Sequence, residues 1–207
     1  MSPIGKCLRE PGEFAIERAH ELWLSDVIDP HRGDQRLIAV SSIAAIDGFI
    51  RGPSGLGWTG ARKENGKLVA GSYRGNGDFA WCGAFAATCW ASAGLRADLR
   101  KAYWSSTIRL YDWTRGTARR ITRAEVRSGD VMIVKTSGKL PIHGDHIVLA
   151  SDRANSATGW IPKIAGNDKS GVGPDGTKRE GIVRGEISPA DFLWAFRPLP
   201  EDLEAGP

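Results

Sequence analysis

The chain has 207 residues, of which 41% are hydrophobic and 25% charged, so it can bury the core of one full domain, and wholesale disorder is excluded. No apolar run approaches the ~20 residues that a membrane span needs. The first residues lack the ~7–15-residue apolar stretch of a secretory signal, so synthesis in the cytoplasm without a signal peptide is expected, with any export by another route. The net charge of +4 hides an asymmetry: residues 1–35 sum to −3, whereas residues 96–127 carry nine Arg or Lys and sum to +6. Such a stretch suits a polyanionic partner, or it is a solvated face. No nucleic-acid-binding signature accompanies it, so no nucleic-acid partner is expected.

Pro11 to Ile28 is predicted to be a helix, with Phe14, Ala15, Ala19, Leu22 and Trp23 at helical spacing and Pro30 beyond its end. A second helix is predicted over Gln35–Ile50. Residues 52–78 are broken by Gly and Pro and hold one hairpin around Glu64-Asn65-Gly66. Phe79–Ala93 carries the strongest helical pattern. Asp78 is placed to cap it and Gly94 to end it in the left-handed conformation, with Cys82, Phe85, Ala86, Cys89 and Ala93 on one face. Beyond the basic stretch the period becomes strand-like over Asp130–Thr136, His146–Ser151, Thr158–Ala165, Gly181–Ile187 and Phe192–Phe196. Helices followed by strands indicate an α+β domain with an antiparallel sheet. Residues 1–78 are expected to supply helices and a Gly-rich loop of that domain, residues 79–200 its core, and residues 201–207 a frayed acidic tail.

The three cysteines, Cys7, Cys82 and Cys89, are too few for a disulfide framework. On a helix Cys82 and Cys89 would stand about 10 Å apart along the axis, beyond the ~7 Å between Cα atoms that a disulfide spans. Cys82 is therefore expected as a free thiol at a helix N-terminus, where the macrodipole favours the thiolate. Cys89 is assigned to the core, as are Trp81 and Trp90. Trp58, Trp104 and Trp113 lie in loop-like regions suited to lining a groove for sugar or peptide.

A thiolate nucleophile needs a base. His20 and His31 read as packing or surface residues, and His143 lies in the loop ahead of His146. His146 opens an apolar strand and is the candidate base. If this strand and the one ending near Gly166 form a hairpin centred between Ser156 and Ala157, opposed residues have the index sum 313, and His146 falls opposite Asn167. One residue of slip would turn the two to opposite faces. Asn167 is thus the candidate that orients the imidazole, with the adjacent Asp168 as its rival. Cys82, His146 and Asn167 together suit thiolate attack on an amide carbonyl.

The stretch Phe79-Ala80-Trp81-Cys82-Gly83-Ala84-Phe85, followed by Ala93-Gly94-Leu95, resembles the nucleophile helix of the CHAP and NlpC/P60 cysteine peptidases and amidases. Ser128-Gly129-Asp130-Val131 resembles the Gly-Asp strand start of those families, Gly144-Asp145-His146-Ile147-Val148-Leu149 their histidine strand, and Ile164-Ala165-Gly166-Asn167 the Glu-Gly-Asn of CHAP domains. The motifs come in family order over residues 79–185. Two positions depart from the pattern: Ala165 stands where Glu is frequent, and Asp145 is inserted between Gly and His, where it is expected to cap the turn. The resemblance implies a papain-like fold and a peptidoglycan hydrolase, either an endopeptidase or an N-acetylmuramoyl-L-alanine amidase. It further implies a phage endolysin or a secreted antibacterial effector acting in the periplasm or outside the cell, as a monomer, with an immunity protein as partner in the effector case. No cofactor is implied.

Two other readings compete. The same fold can serve as a non-catalytic cell-wall-binding or phage structural module, which would need none of Cys82, His146 and Asn167. A metal hydrolase on His143, His146 and a cysteine is opposed by a spacing poorly suited to zinc, and no metal is expected.

Overall fold

Helix α1 (Pro11–Leu24) opens the part of the chain that the computed structural model describes: residues 9–25, 45, 48–50, 52, 61–64, 67–70, 81–136 and 144–204. Pro11 occupies the first turn, where its missing N–H has no helical partner to lose. The helix buries Ala15, Ile16, Ala19 and Leu22 and ends at Leu24, four residues short of the predicted Ile28. Phe14, expected in the apolar stripe, is instead exposed, with the Arg9 guanidinium over its ring. Of the second predicted helix only Ala45 and residues 48–50 are described; they are helical, and Phe49 and Ile50 are buried.

Strands β1 (Ala61–Glu64) and β2 (Lys67–Ala70) pair antiparallel with Glu64 opposite Lys67, the hairpin that Asn65-Gly66 predicts. Helix α2 (Cys82–Ala91) begins later than predicted, and Trp81, not Asp78, is its N-cap residue. Gly94, at φ 86°, ends this region in the left-handed conformation. Residues 82 to 90 are all buried, so α2 has no single apolar face; it runs through the core. Two short helices follow, α3 (Ala97–Tyr103) and α4 (Thr107–Thr114).

The remaining strands are β3 (Arg120–Ile121), β4 (Val131–Val134), β5 (His146–Ala150), β6 (Ile161–Val172), β7 (Lys178–Ile187) and β8 (Phe192–Phe196). They form one antiparallel sheet in the order β3-β8-β4-β5-β6-β7. The domain is α+β, with α1 and α2 against one face of the sheet. Ile133, Ile147, Leu149 and Ile164 point into that interface, joined by Phe85, Trp90 and Phe196. The alternate residues Met132, Val148, Ala150 and Ala165 form a smaller cluster on the opposite face. Among the described residues no helix is long and apolar enough to cross a membrane.

Part of the basic stretch is spent inside the fold. Arg100 is buried and donates to the Leu95 carbonyl, Arg120 lies 3.6 Å from the Trp194 ring centroid, and Arg119 grips Asp202 at 2.6 Å. Arg96, Lys101, Arg109 and Arg115 remain exposed. The same Arg119–Asp202 pair corrects the expected frayed tail. Asp202 is buried, Leu203 bridges to Leu95, and Glu204 N–H donates to the Gly94 carbonyl.

Candidate active site

Cys82 is the first residue of α2, and His146 the first of β5. Gly83 permits this approach. A Cβ there would stand 2.0 Å from the carbonyl oxygen of Trp104 and 3.1 Å from Cδ1 of Ile147, so only glycine lets the α3–α4 turn and β5 close on the helix start. Thr107 Oγ1 donates to the Gly144 carbonyl at 3.0 Å and ties α4 to the turn that delivers His146. Asp145 reaches across to the end of β4. It accepts the Thr136 N–H at 2.7 Å and closes the β4–β5 connection, as expected of a turn cap.

The register of β5 on β6 has the expected index sum, with Leu149 opposite Ile164 and Ala150 opposite Lys163. Beyond Leu149 the ladder stops. Between its pairs with Val183 and Gly181 of β7, β6 uses three steps, Ala165 to Asp168, where β7 uses two. This is a β-bulge, and Asn167 sits in it with φ 56°, the left-handed region that asparagine tolerates better than most residues. The extra residue reverses the alternation. Asp168 therefore shares a face with Ala165 and Lys163, and its Oδ2 lies 3.2 Å from His146 Nε2. Asn167, the expected orienting residue, is replaced by Asp168, because extrapolating the register assumed an unbroken strand.

The broken ladder also frees a donor. The Ile147 N–H, in place of a β6 carbonyl, meets the Cys82 sulfur, which also accepts from the Gly83 N–H and the imidazole. With Nε2 engaged by Asp168, Nδ1 is the ring nitrogen left for the sulfur. Gly166 keeps this corner tight: a Cβ there would lie 2.5 Å from the Trp81 ring and 2.7 Å from Phe85.

Burial alone would raise the Cys82 thiol, but the facing His146 charge and the three hydrogen bonds outweigh it and hold the thiol below its ordinary value. Burial likewise opposes an imidazolium, yet Cys82 and Asp168 push His146 up to about 9. Asp168 is held far below the carboxylate range: its desolvation is outweighed by His146 and Lys163. The arrangement favours a thiolate–imidazolium pair over the neutral thiol and imidazole, with a carboxylate behind it. Cys82, His146, Lys163 and Asp168 are 5%, 4%, 3% and 5% exposed, which strengthens each interaction. The second described cysteine differs: burial pushes the Cys89 thiol up, as befits a core residue.

Lys163 was not singled out from the sequence, although its ammonium contacts the same Asp168 oxygen as His146 does. The signal was present. The index sum 313 sets Lys163 opposite Ala150 on an inner strand, where a lysine is buried only with a partner. The expected groove tryptophans divide. Trp104 is fully buried, Trp113 is stacked between Tyr103, at 5.0 Å, and Arg119, and Trp58 lies outside the described residues. Trp81 and Trp90 are core residues, the latter donating to the Gly129 carbonyl at 3.0 Å. His20 is half-buried in α1, and Cys7, His31 and His143 lie outside the described residues. No cluster of three or more His, Cys, Asp or Glu suited to a metal ion occurs among the described residues.

No family model, curated protein or solved structure matches the chain.

Proposed function

We propose that the protein is a cysteine hydrolase that cuts an amide bond of bacterial peptidoglycan, on a papain-like fold of the NlpC/P60 and CHAP kind. The observation that carries this reading is the convergence of Cys82, His146 and Asp168 at the broken end of the β5–β6 ladder. A binding module has no use for a buried thiolate–imidazolium pair, whose assembly sets charges in a nearly dry interior.

The chemistry follows from the groups present. The Cys82 thiolate attacks the amide carbonyl carbon. The Cys82 N–H, in the first turn of α2 where no helical carbonyl claims it, is a donor for the developing oxyanion. The His146 imidazolium gives its proton to the departing amine, leaving a thioester on Cys82 and a neutral imidazole. Water then attacks the thioester with His146 as base. The cell-wall substrate is supported by the resemblance of the four motifs and by Lys101, Arg109 and Arg115, which face solvent and suit an anionic envelope. The bond is either within the stem peptide or between muramic acid and L-alanine. The enzyme would act in the periplasm or outside the cell, as an endolysin or as an effector countered by an immunity protein.

Mass spectrometry of muropeptides released from purified sacculi tests the reading and assigns the bond. The wild type should release new fragments and Cys82→Ala none. Sacculi left intact by the wild type, or digestion retained by Cys82→Ala, would overturn it.

A further inference from the structure

Lys163 is a buried lysine in the middle of the site, and the reaction described above gives it no role. Its Nζ meets Oδ2 of Asp168, and that same oxygen faces His146 Nε2 at 3.2 Å. The four groups thus form a row of alternating charge: Cys82 thiolate, His146 imidazolium, Asp168 carboxylate, Lys163 ammonium. The bulge at Asn167 creates the row, because without it Asp168 would face away from Lys163.

The two halves of the reaction make opposite demands on His146. Acylation needs the imidazolium as acid. Deacylation needs the neutral ring: water adds to the carbonyl carbon of the Cys82 thioester and passes its proton to His146, the C–S bond breaks, and a carboxylic acid leaves the thiolate beside the imidazolium. A carboxylate at 3.2 Å from the ring, in a nearly dry site, favours the protonated form throughout. Unopposed, it would keep His146 as imidazolium after acylation, unable to take the proton of the attacking water.

We propose that Lys163 is a positioning residue: its ammonium fixes the Asp168 carboxylate and offsets its charge, so that His146 can alternate between imidazolium and neutral imidazole within one turnover. The proposal rests on the cysteine-hydrolase reading and extends it by a fourth member. The charged groups acting on the ring are Cys82 from α2 and Asp168 from β6, the latter carrying the influence of Lys163. Asp145 beside His146 in sequence is engaged with Thr136.

The test is the pH midpoint at which His146 loses its proton, read by NMR of ring-labelled histidine in wild type, Lys163→Met and Lys163→Arg. Loss of the ammonium should raise the midpoint by about one pH unit or more, as expected for a unit charge a few ångströms away in a partly screened interior. Lys163→Arg, which keeps the charge, should stay near the wild type. An unchanged or lowered midpoint in folded Lys163→Met would overturn the proposal. The double variant Asp168→Asn/Lys163→Met leaves no charge buried alone and covers the case in which Lys163→Met does not fold. Its midpoint should fall by about one to two units, whereas a fall of about three or more, the strength of a lone carboxylate at that distance, would show that Lys163 offsets nothing. This titration needs no substrate, so it stands apart from the sacculus digestion: a protein that passes it and cleaves no peptidoglycan refutes the proposed function and not the role of Lys163.

Discussion

Oδ2 of Asp168 lies 3.2 Å from Nε2 of His146, with both side chains almost wholly shut off from solvent. A carboxylate in this place does what a neutral amide cannot: it stabilises the imidazolium that pairs with the Cys82 thiolate. Asp168→Ala should therefore reduce hydrolysis by ~10²-fold or more, within the range assigned to acid–base machinery. Asn167→Gly should leave the rate nearly unchanged, since glycine adopts the left-handed backbone of the bulge without strain. Steady-state kinetics of the two variants checks this. A larger loss in Asn167→Gly than in Asp168→Ala would contradict the assignment.

Cys82 and His146 predict a pH profile. The thiol sits below its ordinary value and the imidazole at about 9, so the imidazolium that faces the sulfur is lost as pH rises through about 9. The midpoint for alkylation of Cys82 by iodoacetamide should lie below the pKa ~8.5 of an ordinary thiol. His146→Gln should move that midpoint upward. Peptide mass spectrometry separates Cys82 from Cys89, whose raised thiol makes it the inert reference. A Cys82 midpoint like that of free cysteine would contradict the pair.

Gly83 has no room for a methyl group. Gly83→Ala would place a Cβ 2.0 Å from the Trp104 carbonyl oxygen, backbone that cannot swing aside as a side chain does. The α3–α4 turn or the start of α2 must shift, at a cost of roughly 1–3 kcal/mol. The shift moves Cys82 relative to β5, so activity should fall together with the thermal midpoint. Calorimetry alongside an activity assay reads both.

Arg197 holds a second buried charge. Its Nε and Nη2 donate to the two oxygens of Asp130 at 2.7 Å each, and Asp130 is buried under the start of β4. Burial keeps the Asp130 carboxyl above its ordinary value even with Arg197 beside it. Arg197→Leu takes the paired guanidinium from that carboxylate, leaving it the Arg127 N–H at 2.8 Å, and should cost about 3 kcal/mol. The sign of the pH dependence follows. With the folded pKa above the unfolded one, the protonated form favours the fold, so the deficit is least below pH ~4 and grows as pH rises through the folded value. Urea titrations at acid and neutral pH measure the difference; a deficit that shrinks toward neutrality would refute this account.

Much of the scaffold was legible because it is local. The change from helical to alternating periodicity marks where the sheet begins, Asn65-Gly66 marks a hairpin, and Gly94 a helix end, each through the conformations that a few adjacent residues allow. Cys82 and His146 were legible for the same reason, since each opens an element whose pattern is plain. The index sum of β5 and β6 was also available, because a short loop sets the register of a hairpin.

Other features depend on what lies across the fold. The burial of α2 on all sides, the capture of the basic stretch by Asp202, Trp194 and the Leu95 carbonyl, and the docking of residues 201–204 pair segments far apart in sequence, which no local pattern encodes. The third member of the site was decided in the same way. Register alone selects Asn167. The close packing of Gly166 on Trp81 and Phe85 and the extra residue that β6 spends against β7 select Asp168. A one-residue bulge reverses every face beyond it. The sequence by itself determined which residues bring the thiol and the imidazole, and only the tertiary structure decided which carboxylate and which ammonium stand behind them.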